Sequence, residues 1–236
     1  MLKADLHIHT ADDPADPIPY STFELIDRAA QLGFDALAIT LHDRQLETAP
    51  FCDYAASRGI VLIPGIERSI QGRHVLLLNY SRAAELVNSL EDLAELRKAE
   101  KGLVIAPHPF FPAGSALRGW MHTHHELFDA VEWNAMFTPR INFNIAAKRW
   151  AQRHGKPIVG NGDVHRLEML GTTYSLIDAE RTPDAICTAI AEGRVRLVAR
   201  PLTLVNAVRV MADLYLTGLL PRPNAAVLNG GAAPAN

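Results

Sequence analysis

Short apolar runs separated by longer segments of helical periodicity constrain this chain most. Runs at 3–9 (KADLHIH), 36–41, 61–66, 74–80, 103–107, 130–134, 157–161, 173–177 and 195–199 predict strands. The segments 22–33, 47–58, 83–100, 141–154 and 182–192 predict helices, although Ile141, Ile145, Lys148 and Trp150 fall at mixed helical spacings. Strands that look buried, alternating with helices, build βα units on a mostly parallel sheet. The fold class is α/β, and the number of units favours a barrel over an open sheet. A length of 236 residues suits one domain of barrel size or two small ones.

The Pro- and Asp-rich stretch 11–19 is a loop directly after the first strand, and 108–121 is another. Residues 202–220 are strongly apolar but interrupted by Asn206, Arg209, Asp213 and Gly218, which makes a poor membrane span. They predict an amphipathic helix packed on the barrel or on a second copy of the chain. The tail 221–236 has little to bury and is expected to be disordered. The expected division is therefore a barrel over 1–201, a helix over 202–220 and a tail. Cys52 and Cys187 form no C-x-x-C pair, which argues against a disulfide framework or a thiolate zinc site. With no signal-peptide pattern ahead of the first strand, a cytoplasmic protein is expected. The net charge is −3, and no Lys- or Arg-rich block marks a dedicated duplex-DNA binder. A small or single-stranded nucleic-acid substrate stays open.

Histidines and acids gather at strand ends. His7 and His9 close the first strand, one residue apart, so both point to one face while Leu6 and Ile8 point to the other. His42 follows the second strand, Glu67 the third, His108 a later one, and Asp163 and His165 another; His74 opens its strand instead. Barrel active sites are assembled at the C-terminal ends of the strands. Imidazole and carboxylate together suit zinc, iron or manganese. One such histidine alone is ordinarily structural; an ordered series, each member on its own strand, is not expected by chance.

This series resembles the PHP family, the polymerase and histidinol phosphatase domain, over about residues 3–200. The H-x-H-T strand is matched by His7, His9 and Thr10, and the T-D-H motif by Thr40-Leu41-His42 followed by Asp43. Gly65-Ile66-Glu67 matches G-[IV]-E, His74 the histidine that opens a strand, and His108-Pro109 the H-P motif. Val131-Glu132-Trp133-Asn134 is similar to the family's VE-x-x-N strand, and Asp163-Val164-His165 to its terminal S-D-x-H. The resemblance implies a distorted (β/α)7 TIM-like barrel holding two or three divalent ions (Mn, Fe or Zn). It implies the ligands His7, His9, His42, Glu67, His74, His108, Asp163 and His165, with Glu67 suited to bridge ions and His42, Asp163 and His165 as the catalytic set. Two positions depart from the pattern: Leu41 stands where an aspartate is common, and Gly162 where a serine usually precedes the last aspartate. Asp12, Asp13 and Asp16 compete for a further acidic position after the first motif, and their spacing does not choose among them.

Such a site hydrolyses a phosphate ester through a metal-activated hydroxide, with no serine or cysteine nucleophile. The expected enzyme is a metal-dependent phosphoric ester hydrolase acting on a small phosphomonoester or a nucleotide. The alternatives are a phosphodiesterase or nuclease on short oligonucleotides, an amidohydrolase, and a non-catalytic metal-binding barrel. An amidohydrolase ordinarily uses a bridging lysine, and no lysine here ends a predicted strand. Arg44, Arg68 and Arg166 each follow a motif and are candidate phosphate grips. His122, His124 and His125 match nothing in the family and read as surface or substrate-lining residues. A homo-oligomer through 202–220 is the remaining partner expectation.

Overall fold

The computed structural model describes residues 1–217. The chain runs β1 (Leu2–Ile8), α1 (Thr22–Gln31), β2 (Ala36–Ile39), α2 (Ala49–Ser57), β3 (Val61–Ile70), β4 (Arg73–Leu78), α3 (Leu90–Ala99) and β5 (Leu103–Ala106). It continues through α4 (Trp120–Thr123), β6 (Ala130–Asn134), α5 (Asn144–His154), β7 (Ile158–Asn161), β8 (Thr173–Ile177), α6 (Pro183–Ala191), β9 (Val195–Ala199) and α7 (Leu204–Thr217). One sheet holds the strands in the order β7-β6-β5-β4-β3-β2-β1-β8-β9. It curls until β7 packs on β8 and β9, and a bridge between Ile8 and Val164 joins the two sides. The result is the expected α/β barrel, nearly closed.

The distortion has a concrete form. Pairs β1–β2, β2–β3, β5–β6 and β6–β7 are parallel, whereas β4 runs antiparallel to both β3 and β5, and β8 runs antiparallel to β1 and β9. A mostly parallel sheet was expected. The hairpin between β3 and β4 turns on Gln71 (φ 47°) and Gly72 (φ 76°), two consecutive residues with positive φ, as a two-residue hairpin turn requires. The strand β3 therefore continues past the predicted end at 66, and Glu67 lies inside it. His74 opens β4 at the same rim where the parallel strands end, because β4 points the other way.

The sheet divides the apolar side chains into an inner and an outer set by simple alternation. Leu76, Leu78, Leu103, Ile105, Ala130 and Val159 fill the barrel, and α6 adds Ile186, Cys187 and Ile190 to the same cluster. Val75, Leu77, Val104 and Val131 face outward under α3 and α5, whose Leu93, Leu96 and Trp150 cover them. Ile8, Leu37 and Ile39 face outward under Leu25, Ile26 and Ala29 of α1. In β1 the alternation breaks: its register against β2 slips between Asp5 and Ile8. Leu6 joins the inner cluster and Ile8 an outer one, so they do not share a face as the sequence suggests. A bulge is the physical reason, since an extra residue re-aims the side chains that follow it.

Local signals set the helix ends. Ser21 and Glu24 form a reciprocal capping box at the start of α1. The predicted helix 83–100 is instead a 3-10 turn over Arg82–Leu86 followed by α3, because Val87 is extended and Ser89 with Asp92 caps a new helix. The helix α7 occupies 204–217 of the predicted 202–220, with Leu204, Val205 and Val208 exposed and Val210 against the α1–α2 cluster. Residues 218–220 and the tail 221–236 lie outside the described residues. No helix among the described residues is long and apolar enough to cross a membrane.

Candidate metal centre

Inside the rim, inner-facing positions change from apolar to polar. Ala4 and Leu6 give way to His7 and His9, Ile63 to Glu67, Ala130 to Glu132, and Val159 to Asn161 and Asp163. Glu67 lies at the middle. Its Oε1 is 2.7 Å from Nδ1 of His74, 3.2 Å from Nε2 of His108 and 3.3 Å from Nε2 of His7. Its Oε2 is 3.1 Å from Nε2 of His42 and 3.5 Å from Nε2 of His9. Oδ1 of Asp163 is 3.4 Å from Nε2 of His7, 3.6 Å from Nε2 of His9 and 3.5 Å from Nδ1 of His165. The eight residues implied as ligands by the family resemblance are thus brought into one cluster. His7, His9 and Glu67 are sealed from solvent, and the side chains of Asp163, His165, His42 and His74 keep 14–19 % of their surface.

A second ring of polar groups fixes the imidazoles. Glu132 accepts from Nδ1 of His7 at 2.9 Å and from the backbone N–H of His108 at 2.8 Å. Asp13 sits 2.8 Å from Nδ1 of His9 and 3.0 Å from Nδ1 of His42. Asp16 lies 3.0 Å from Nε2 of His165. Asn134 donates to Asp163 at 3.0 Å, and its own backbone is held by the side chain of Asn144. Among the three competing aspartates the geometry distinguishes Asp13 and Asp16; Asp12 accepts from the hydroxyls of Thr10 and Thr22 in the loop. Leu41 is fully buried in the outer cluster, and Asp13 supplies the support to His42 that an aspartate at 41 would otherwise be read to give. Asp43 turns away, to Arg68 and the backbone N–H of Ser69.

The donor set fits a metal on an observation independent of any relative. Nε2 of His7 and Nε2 of His9 are buried and have no hydrogen-bond partner. Both face carboxylate oxygens at 3.3–3.6 Å. Ligands bound at the usual zinc distances would be separated by about 3.4 Å along a tetrahedral edge. Five overlapping triplets, among them His7–His9–Glu67, His7–His108–Asp163 and His42–Glu67–His74, bring their ligand atoms within 4.8 Å of one another. Carboxylates on the far ring nitrogens of His7, His9 and His42 are the arrangement that orients histidine ligands in metal sites.

Charge is concentrated here. Burial opposes ionisation of Glu67, but the imidazoles of His7 and His74 overcome it and hold the carboxyl well below its usual range. Asp163 follows the same pattern, with burial outweighed by His7, His9 and His165. Burial pushes His42 down, while its hydrogen bond to Asp13 and the charge of Glu67 push it up, to about 9. His7 likewise stands well above its ordinary value. Two members of the cluster carry positive φ, His108 (29°) and Asp163 (49°). Such backbone costs on the order of 1–3 kcal/mol per residue and collects at functional sites.

Other expected residues lie elsewhere. Arg68 is not brought into the cluster: it projects to the outer face of β3. There its donors meet Asp43 at 2.5 Å, the carbonyl of Val87 at 2.6 Å and Asn88 at 2.6 Å. Alternation along the strand is the reason, since Glu67 already takes the inner face. Arg44 donates to the carbonyl of Asp12 in the loop beside the cluster, and Arg166 follows His165 at the rim. His122, His124 and His125 belong to no ligand group among the described residues. Glu132 is the functional-looking residue whose place the motif match alone did not convey; its signal was an acid on an otherwise apolar inner face. Gly162 has a steric explanation, for a Cβ there would lie 2.3 Å from Cγ2 of Val164 and 2.7 Å from Oδ2 of Asp5.

Comparison with known proteins gives a consistent picture. Residues 142–195 match the PHP-associated family model. No curated protein matches the chain. A two-domain protein from Bacteroides vulgatus containing a predicted PHP-like metal-dependent phosphoesterase superposes with a TM-score of 0.66 at 19 % identity, over 90 % of this chain and 69 % of that one. A lesion-specific endonuclease from Pyrococcus furiosus superposes with a TM-score of 0.56 at 15 % identity, over 89 % and 66 %. A protein described as an amidohydrolase from Chromobacterium violaceum, with bound sulfate and no metal, gives 0.56 at 18 % identity, over 95 % and 99 %. With the ordered motifs, the shared barrel and the matched segment 142–195 in hand, the chain is similar to PHP-domain proteins in its fold and in that segment.

Proposed function

We propose that this protein is a metal-dependent phosphoesterase whose centre is the His7–His9–Glu67–Asp163 cluster with His42, His74, His108 and His165. One observation carries the reading: two buried imidazole nitrogens without hydrogen bonds converge on two carboxylates at ligand-to-ligand spacing. Divalent ions, when bound, lower the pKa of water and stabilise charge on phosphate oxygens. The nitrogen and oxygen donors suit Mn, Fe or Zn, and the overlapping triplets around Glu67 suit two or three ions.

The chain's own residues have separable tasks. Asp13 and Glu132 fix the tautomers of His9, His42 and His7, so that Nε2 of each faces inward. Glu67 offers one oxygen to each half of the cluster. Asp163, His165 and His42, which with His74 keep part of their surface in solvent, form the catalytic set against which an ester would lie. The ring of His165 lies between Asp16, 3.0 Å from its Nε2, and Asp163, 3.5 Å from its Nδ1. Arg44 and Arg166 are the rim cations proposed to grip phosphate.

The solved structures favour this reading by their descriptions: a predicted phosphoesterase and an endonuclease share the barrel. The amidohydrolase description is the competing one. Here the central, shared position is held by Glu67, whose ion-pair partners His7, His9, His42, His74 and His108 include no lysine. The test is hydrolysis of a chromogenic phosphomonoester and its diester, each with manganese and with chelator. Chelator-sensitive release is the expected result; no release from either ester by metal-loaded protein would overturn the proposal.

A further inference from the structure

We infer that α5 and the loop before it form a track for single-stranded nucleic acid leading to the candidate centre. The inference rests on the phosphoesterase reading and deepens it by naming the substrate class. No Asp or Glu occurs between Glu132 and Asp163, whereas Arg140, Lys148, Arg149, Arg153 and Lys156 all fall there, in a chain of net charge −3. The cations are spread along the sequence, which is why they form no basic block, and the helix brings three of them together. Its buried face is Asn144, Ala147, Trp150 and Ala151, so Lys148, Arg149 and Arg153 face solvent. Ile145, Arg149 and Arg153 follow one another at i, i+4 and i+8 and make one stripe about 12 Å long.

These cations are unspent. Arg58, Arg68, Arg82, Arg97, Arg181 and Arg194 each pair with a carboxylate. Arg140, Lys148, Arg149 and Arg153 are exposed, and their side chains make no ion pair or hydrogen bond among the described residues. At the rim end of the stripe stands an aromatic ledge. The ring of Phe111 is 6.2 Å from that of His108 in the cluster and 5.4 Å from that of Phe143. Phe143 immediately precedes α5 and is 39 % exposed, and its neighbours Ile141 and Ile145 are 55 % and 41 % exposed. The chain from Asn144 through Asn134 to Asp163 ties the same helix end to the centre.

Free cations beside a stackable ring match the two features of a single strand, a continuous polyanion and bases whose faces are not covered. A duplex offers the first without the second. A phosphodiester drawn along α5 would place a base on Phe143 and Phe111 and the adjoining phosphate at the cluster.

The test is fluorescence anisotropy of a labelled oligo-dT about 12 nucleotides long, in chelator so that no cleavage occurs. Wild-type protein is expected to bind it with an affinity that falls steeply as salt rises from about 50 to 200 mM. The double variant Arg149→Glu/Arg153→Glu is expected to bind at least about 10-fold more weakly and to show a flatter salt dependence. Phe143→Ala is expected to lose on the order of 10-fold with the salt dependence retained. Lys148→Glu provides a second charge reversal, and thermal melting establishes that each variant is folded. Any of three results would overturn the inference: no binding by wild type at low salt, equal binding by the charge-reversed variant, or equal binding of a duplex or of inorganic polyphosphate with no effect of Phe143→Ala. Because binding is read without metal, failure of ester hydrolysis would remove the phosphoesterase reading and leave this result standing on its own.

Discussion

One oxygen of Asp13, Oδ2, lies 3.0 Å from the backbone nitrogen of His42 and 3.0 Å from its Nδ1. A single carboxylate on the loop after β1 thus sets both the main chain and the ring of a residue after β2. The same oxygen meets Nδ1 of His9 at 2.8 Å. Asp13→Asn puts an amide where three donors converge. Metal affinity is expected to fall about 10- to 100-fold, with the fold retained. Isothermal titration with manganese checks this, and unchanged affinity would show that Asp13 does not orient the imidazoles.

Metal loading is expected to compete with protons. His42 has a folded-state value of about 9, above its ordinary 6.5. In metal-free protein the protonated ring contributes stability that is fully present below about 6.5 and is lost as pH rises through about 9. A metal ligand must be neutral, so apparent metal affinity rises across the same window. Melting temperatures in chelator should therefore fall between pH 6.5 and 9, and metal affinity should climb. A flat affinity profile would contradict the arrangement.

His9→Ala and Asp163→Ala are expected to abolish metal-dependent ester hydrolysis without unfolding the barrel. Each removes a member of a buried charge cluster whose partners neutralise one another only in part. Activity assays paired with circular dichroism decide this; turnover like wild type in folded His9→Ala protein would remove the cluster from the chemistry.

Much of this was legible before the fold was known, because ligand-type residues at strand ends follow one another in a fixed order. What stayed hidden depended on contacts between distant residues. Asp12, Asp13 and Asp16 are alike in sequence, and only the path of the loop places Asp13 between two imidazoles. His74 looked exceptional because nothing local announces that β4 runs antiparallel. Arg68 looked available because its neighbour Glu67 is central, yet strand alternation sends the two to opposite faces. Leu6 and Ile8 were read as one face because a bulge leaves no mark on a short apolar run. The predicted helix 83–100 concealed a capping box, Ser89 with Asp92, inside continuous helical composition.

Gly162 supplies a test of packing. Serine there must displace Val164 or the carboxylate of Asp5, whose atoms already occupy the space of a Cβ. Gly162→Ser is expected to lose about 1–3 kcal/mol of stability, measured by urea denaturation in chelator. No loss would mean that the segment just after β7 shifts freely.

Asp5 itself is fully buried, and burial pushes its carboxyl up to about 7. An acid raised in the folded state costs stability as pH rises from its unfolded value of 3.8 to about 7. Asp5→Asn keeps a neutral acceptor for the N–H of Gly162. Its stability relative to wild type is expected to increase from pH 4 to pH 7, a slope that denaturation curves at several pH values will show or refute.

The seam between β1 and the segment after β7 gives the centre its order of assembly. The backbone N–H of His9 donates to the carbonyl of Val164, and that of Val164 to the carbonyl of His7, each at 3.1 Å. The histidines of β1 and of the residue after it are therefore held by a late part of the barrel, as Asp5 is held by Gly162 across 157 residues of sequence. Contacts this distant form late. During synthesis His7 and His9 emerge long before Asp163 exists, so a nascent chain holds only fragments of the ligand set. Tight metal capture is thus expected of the completed barrel and not of its first half.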